Sequence, residues 1–222
     1  MYLKTMAMAA ASRVAHKPPC GVSCQDWRAG MGYFEEELRV INSSIQSMDM
    51  EVFGQAVEEC IKTAESGHKI IASGLGKNVP VCEKFVGSLL SLGIDAAFLH
   101  TNSAVHGDMG AIKDGDLLFL LTKSGETAES VWLAELLQGR DVRTWLLTFE
   151  KESRLSSMIG RKLCLSLEHE GDPWNVMPNN STTVNLIVLQ GIAMEMAKKM
   201  GIPLSQFKQN HPGGHIGEIL AG

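Results

Sequence analysis

Apolar positions recur at helical spacing over 33–47 (Leu38, Ile41, Ile45) and over 51–66 (Val52, Ala56, Cys60, Ile61). Gly67 follows as the residue that closes the second helix. Beyond it, short apolar runs alternate with longer amphipathic stretches. The pattern predicts strands over 69–73, 95–99, 116–122, 142–148 and 162–167. Between and after them it predicts helices over 79–92, 127–138, 153–159 and 182–200, with a short segment near Ala104. The run Leu117-Leu118-Phe119-Leu120-Leu121 is continuously apolar, as a central parallel strand buried on both faces must be. Gly201 and Pro203 stop the last long helix. Five strands alternating with helices, after two leading helices, predict a three-layer α/β/α sandwich around a five-stranded parallel sheet. In such folds ligands bind beyond the carboxyl ends of the strands, so the loops after each strand are where chemistry is expected.

Composition narrows the picture. A chain of 222 residues suits one core. Residues 1–32 stand apart: Pro18-Pro19, Cys20 and Cys24 lie in a stretch without lasting periodicity, read as a loose extension ahead of a domain at 33–222, with Met31 as an alternative start. With 45% apolar and 20% charged residues, disorder, collagen and coiled coil are poor readings. A net charge of −5 speaks against a nucleic-acid surface, but leaves room for a small anion at a locally positive site. No apolar run is long enough for a bilayer. The apolar N-terminal stretch is short and is followed at once by Arg13, His16 and Lys17, which disfavours a signal peptide. Five scattered cysteines suit free thiols in a reducing cytoplasm. Cys20 and Cys24 have no second pair, so no metal is expected there.

The loops carry the candidate chemistry. After the first strand comes Ser73-Gly74-Leu75-Gly76-Lys77-Asn78, where the glycines let the backbone turn tightly and aim amides at an anion. The dinucleotide fingerprint fails at Val79, and the nucleotide P-loop fails at Ile71 and Asn78. An ordinary turn with an exposed lysine fits equally well. After the third strand comes Thr122-Lys123-Ser124-Gly125-Glu126-Thr127, with three hydroxyls at the mouth of a helix. Helix mouths present unpaired amides and partial positive charge, so they take phosphate readily. The competing reading is a cap, with Ser124 capping and Thr127 at the third helical position; three hydroxyls exceed what a cap needs. Glu126 is repelled by a phosphate there unless it points at the carbon end of a substrate. After the fifth strand, Glu170 precedes a second hydroxyl-rich mouth at Ser181-Thr182-Thr183, read as an anion site or with Ser181 as a plain cap. His106 and His211 sit in glycine-rich loops. A metal on His211 and His215 is disfavoured because Pro212-Gly213-Gly214 breaks the helix that would align them.

Taken in order, these segments resemble the sugar isomerase (SIS) domain family, a flavodoxin-like fold. The segments are Gly74-Leu75-Gly76-Lys77, His106-Gly107-Asp108-Met109-Gly110, Ser124-Gly125-Glu126-Thr127, Ser181-Thr182-Thr183 and His211-Pro212-Gly213-Gly214. The match is to the bacterial arabinose-5-phosphate isomerase subgroup and covers about 33–221. The resemblance implies aldose–ketose isomerisation of D-arabinose 5-phosphate and D-ribulose 5-phosphate through a cis-enediolate. It places that step in the synthesis of Kdo, the acid sugar of lipopolysaccharide and some capsules. It implies a cytoplasmic homotetramer with shared active sites, no cofactor, no nucleic acid and no membrane. By motif position, Lys77, His106, Glu126, Glu170 and His211 are the catalytic set. Glu126 is the proton-shuttling base, with Glu170 as second choice, and His211 assists ring opening from a neighbouring subunit. Ser73, Gly74, Gly76, Thr122, Ser124, Gly125, Thr127, Ser181 and Thr182 are then the substrate- and phosphate-binding residues.

The sequence departs from the family pattern in three places. Asn78 stands for a serine, Lys123 for an asparagine, and 171–178 for a stretch close to Ala-Cys-Pro. Lys123 is an extra cation that suits a more anionic ligand. A non-catalytic domain sensing a phosphosugar, or an acidic product such as nucleotide-activated Kdo, is the main rival. The paired glutamates and histidines speak for the enzyme. His106 and the His211 loop speak against a phosphoheptose or hexulose-phosphate isomerase. Many relatives continue into a tandem pair of CBS modules where this chain stops, so the chain is expected to hold the active site without that regulatory input.

Overall fold

In the computed structural model, α1 (Met31–Gln46) and α2 (Met50–Glu65) lead the chain. The structure describes residues 31–221; the expected extension, its proline pair, Cys20 and Cys24 lie outside the described residues. Asp49 opens α2 by accepting the N–H groups of Glu51 and Val52 at 2.9 and 3.2 Å. Gly67, at φ +76°, supplies the left-handed turn that ends it. Then come β1 (Ile70–Gly74), α3 (Asn78–Ser91), β2 (Ala96–His100), α4 (Thr101–Ala104) and a 3₁₀ turn at Asp108–Ala111. They are followed by β3 (Leu117–Leu121), α5 (Ala128–Leu137), β4 (Arg143–Thr148), α6 (Arg154–Met158) and β5 (Lys162–Cys164). Last come α7 (Asn180–Lys199), α8 (Leu204–Gln209) and α9 (Gly214–Ala221).

The sheet is parallel throughout, in the order β2-β1-β3-β4-β5, so the expected sandwich is the observed one. Alternate side chains feed two cores. Ile70, Ala72, Leu117, Phe119, Leu121, Trp145 and Leu147 pack with α2, α3 and α7 on one face. Ile71, Leu118, Leu120 and Leu146 pack with α5 and α6 on the other. Each large side chain so buried contributes about 1.5–3 kcal/mol. At the amino end of the sheet, buried Asp116 accepts the N–H groups of Lys69 and Lys113 at 2.9 and 2.8 Å. That bond locks the starts of β1 and β3 together.

Two expectations change. The fifth strand is shorter than 162–167 because the chain turns off the sheet after Leu165. Ser166 N–H donates instead to Ser47 Oγ, beyond the end of α1, at 2.9 Å. Helices α8 and α9 lie where Gly201, Pro203 and Pro212 read as breakers. Helix α8 is fastened by tertiary bonds, with Gln206 Nε2 donating to Leu92 O at 2.9 Å and Asn210 Nδ2 to Ser91 O at 3.2 Å. No described helix is long and apolar enough to cross a membrane.

Candidate active site

The connection from β1 leads through α3 to β2 on one side. The connection from β3 leads through α5 to β4 on the other, and the two helices pack on opposite faces. The crevice between the carboxyl ends of β1 and β3, where Gly74 pairs with Leu121, is therefore the topological switch point. Gly74 is required there, because a Cβ would come within 2.9 Å of Asn78 Cβ as α3 folds back over the strand. Gly76 turns at φ +56°, and Lys77 is exposed directly before α3, which carries no side-chain cap. Asn78 accepts a bond from buried Asn185 of α7 at 3.0 Å, so the residue that departs from the family pattern ties α3 to α7. Ser73 is turned inward, fully buried, with its hydroxyl 2.9 Å from that of Thr101.

The 122–127 loop uses its hydroxyls to shape itself. Thr122 Oγ1 accepts Gly125 N–H at 3.1 Å, and Ser124 Oγ accepts Glu126 N–H at 3.3 Å. Thr127, not Ser124, takes the cap position of α5, and its side chain makes no capping bond. The amides of the first turn of α5 are thus left without a capping side chain, which is the anion-receptive state of a helix mouth. Glu126 is exposed, and its Oε1 accepts Arg154 N–H at the start of α6 at 2.8 Å. Gly125 turns at φ +68°, with the Ser153 hydroxyl where a Cβ would go. Gly125→Ala is expected to lower the unfolding free energy by about 1–3 kcal/mol, measured by urea denaturation. Gly139→Ala, at φ +81° with open space around it, is expected to lower it by less; equal losses would show that the Ser153 contact is immaterial.

The mouth of α7 is different. Glu170 is fully buried, and its Oε2 accepts the N–H groups of Asn179 and Ser181 at 3.0 and 2.9 Å. Lys123 Nζ lies 2.7 Å from its Oε1. Burial pushes the Glu170 carboxyl up, but Lys123 and the two amides outweigh it and hold it below the ordinary carboxylate range. Ser181 is a buried residue inside α7 rather than its cap, and the Thr182 hydroxyl donates to Asn179 O at 2.8 Å. The anion in this mouth is the chain's own glutamate. Lys123, expected as a spare cation, is committed to it.

Helix α1 grips the residues on either side of Glu170. Arg39 bonds Glu36 and Glu168, His169 Nε2 lies 3.0 Å from Glu36 Oε1, and Glu37 is packed against Gly171. Arg39 and His169 bring Glu36 down to about 2, while burial pushes Glu37 up. The 172–177 loop is held by buried Asp172, which accepts the N–H groups of Trp174, Val176 and Met177. Nothing in the sequence pattern marks Glu36, Glu37 or Arg39, which read as one solvated helix face.

His106 is exposed in the loop after α4, at the same end of the sheet. His211 is not. Its ring stacks on Phe207 at 4.0 Å, and Nδ1 donates to Phe207 O at 2.8 Å, an arrangement that in the neutral imidazole makes Nε2 the acceptor. Helix α8 is fastened at residues 91 and 92, where α3 ends. Since α3 begins at the switch point and spans 14 residues, His211 lies on the order of 20 Å away along it. One chain therefore assembles Lys77, His106, Glu126 and Glu170 at one end of the sheet and carries His211 at the other. His215 faces Glu218 at 3.8 Å and does not join His211. Among the described residues no group of three or more His, Cys, Asp or Glu side chains is placed to hold a metal ion. Cys60 and Cys82 are buried free thiols and Cys164 is a half-buried one.

Comparison with known proteins agrees with this architecture. The chain is 30% identical over 177 residues to the arabinose 5-phosphate isomerase KdsD of Pseudomonas aeruginosa, a match covering 80% of this chain and 54% of that protein. It is 26% identical over 186 residues to KdsD of Salmonella typhi, covering 84% and 57% respectively. The chain thus spans little more than half the length of these curated relatives. A Bacteroides fragilis structure, assigned to phosphosugar isomerisation in capsule formation, superposes with a TM-score of 0.75 at 26% identity, over 84% of this chain and 99% of that one. A structure from E. coli CFT073 in complex with arabinose 5-phosphate superposes with a TM-score of 0.77 at 24% identity, over 86% and 100%. The SIS domain model matches residues 64–195, from the end of α2 through most of α7, and the chain belongs to the SIS domain family.

Proposed function

We propose that this protein is a sugar-phosphate aldose–ketose isomerase that interconverts D-arabinose 5-phosphate and D-ribulose 5-phosphate. The observation that carries the reading is the contrast between two helix mouths. That of α7 is filled by Glu170, while that of α5 is uncapped, lined by Thr122, Ser124 and Thr127, and beside Glu126. A phosphate seated on the α5 amides places the sugar across the crevice toward Lys77. Glu126, anchored through one oxygen, moves a proton between C2 and C1 with the other, by way of a cis-enediolate. Lys77 stabilises the enediolate oxygen, and His106 holds sugar hydroxyls. His211 of the partner subunit assists ring opening, its free Nε2 being the acceptor this requires. The chemistry is proton transfer alone and calls on no cofactor. Identity to two KdsD relatives supports the choice of arabinose 5-phosphate. Supply of arabinose 5-phosphate for Kdo, in the cytoplasm and as a homotetramer, is the corresponding role.

The test is turnover. Incubated with D-arabinose 5-phosphate, the protein is expected to form the 2-ketose phosphate, detected by NMR, and to leave unphosphorylated D-arabinose unchanged. Equal turnover of both sugars would remove the phosphate seat from the account. Binding without turnover would make the protein a sensor.

A further inference from the structure

Lys123 and Glu170 meet across the site from different loops. The Glu170 carboxylate has no exposed surface, and burial alone disfavours its charge. The other groups around it supply hydrogen bonds but no full positive charge at the carboxylate. Helix α1 brings Glu37, itself a carboxyl; within the Glu170 loop, His169 turns to Glu36 and Asp172 to the amides of Trp174, Val176 and Met177. Helix α7 brings amides and the Ser181 hydroxyl. The matching full charge comes from Lys123 Nζ at 2.7 Å, on a side chain that is 42% exposed. Lys123 is also one of the places where the sequence leaves the family pattern, between two hydroxyls of the loop assigned to phosphate.

We propose that Lys123 is a positioning residue that pins the Glu170 carboxylate, as an ion, in the mouth of α7. This closes that mouth to the substrate's phosphate, in favour of the hydroxyl-lined mouth of α5. The consequence for turnover rests on the isomerase reading; the lock itself does not.

With Lys123 present, the Glu170 carboxyl titrates below its ordinary range. The pair then adds stability above that range and loses it as pH falls through the lowered value. With Lys123 removed, its share of the compensation for burial is lost and the carboxyl titrates higher than in wild type, so the deficit is greatest where Glu170 is ionised and shrinks as a proton is taken up.

Urea midpoints of wild type, Lys123→Met, Glu170→Gln and the double variant test the lock without using activity. The Lys123→Met deficit is expected to be larger at about pH 8 than at about pH 5, and to vanish in the Glu170→Gln background. A deficit equal at both pH values, or unchanged by Glu170→Gln, overturns the proposal. Should Lys123→Met fail to fold, the double variant is expected to fold, and its failure also overturns the proposal. Turnover of arabinose 5-phosphate gives the second readout. The acid limb of the Lys123→Met profile is expected to move up by about 1–3 pH units and to return with Lys123→Arg. An unmoved limb contradicts the positioning role. Absence of turnover in wild type overturns the isomerase reading and leaves the stability cycle to decide the lock.

Discussion

Glu126→Gln is expected to lower kcat on arabinose 5-phosphate by roughly 100- to 10,000-fold, the range a positioned general base contributes, with KM within about twofold of wild type. The substitution separates chemistry from architecture. Glutamine keeps an oxygen in the place of Oε1, so it still accepts the Arg154 N–H that holds Glu126 at the start of α6. It keeps the side-chain length and the loop turn made by Ser124 and Gly125. What it removes is the oxygen able to take a proton. Urea stability is therefore expected to stay near wild type, because the group is exposed and its one hydrogen bond survives. Near-normal turnover would take the base away from Glu126 and return it to Glu170. That residue would then have to leave the α7 amides and Lys123 to reach a substrate carbon.

Mixing two dead variants is expected to restore activity. His211 lies at the end of the sheet away from Glu126, held by Phe207 and by the bonds of α8 to residues 91 and 92. It can complete a site only in another copy. Glu126→Gln and His211→Ala homo-oligomers are each expected to retain no more than about 1% of wild-type turnover. In the proposed assembly with reciprocally shared sites, co-expression in equal amounts is expected to give mixed pairs in which one site carries both lesions and the other carries neither. Random pairing makes about half of the pairs mixed, each with one intact site, so recovery of about a quarter of wild-type activity is expected. If His211 acted within its own chain, every site in a mixed pair would carry one lesion and no activity would return.

How far the sequence foretold this depends on how local each cause is. The sheet was legible because its strands carry their own reason. Leu117 to Leu121 has no polar position and is strand-length between turn signals, which suits a strand covered on both faces, and β3 is that strand. Gly74 and Gly76 were legible as a turn because the backbone there approaches a neighbour or takes positive φ, whereas the turn at Gly125 was not marked. The hydroxyl-rich mouths were also visible, but not which of them was free. A cluster of Ser and Thr announces a helix start, whereas the identity of the anion facing it is set by Glu170, which reaches α7 from the loop before it and meets Lys123 from a loop after β3. Those contacts leave no periodic trace. Nor do the bonds of Glu36 and Arg39 to the 168–170 segment, which look like surface charge when read along α1. The same holds for α8. It is only six residues long between breakers, too short to hold by itself, and its position comes from side-chain amides reaching the carbonyls at the end of α3.

The most direct measurement of the central claim is turnover of D-arabinose 5-phosphate in deuterium oxide, followed by NMR and mass spectrometry. A proton moved from C2 to C1 on an exposed carboxylate such as Glu126 has the opportunity to exchange with solvent. The predicted result is D-ribulose 5-phosphate carrying deuterium at C1, with deuterium appearing at C2 of the arabinose 5-phosphate recovered at equilibrium. Saturable binding of arabinose 5-phosphate with neither product nor deuterium incorporation would contradict the account.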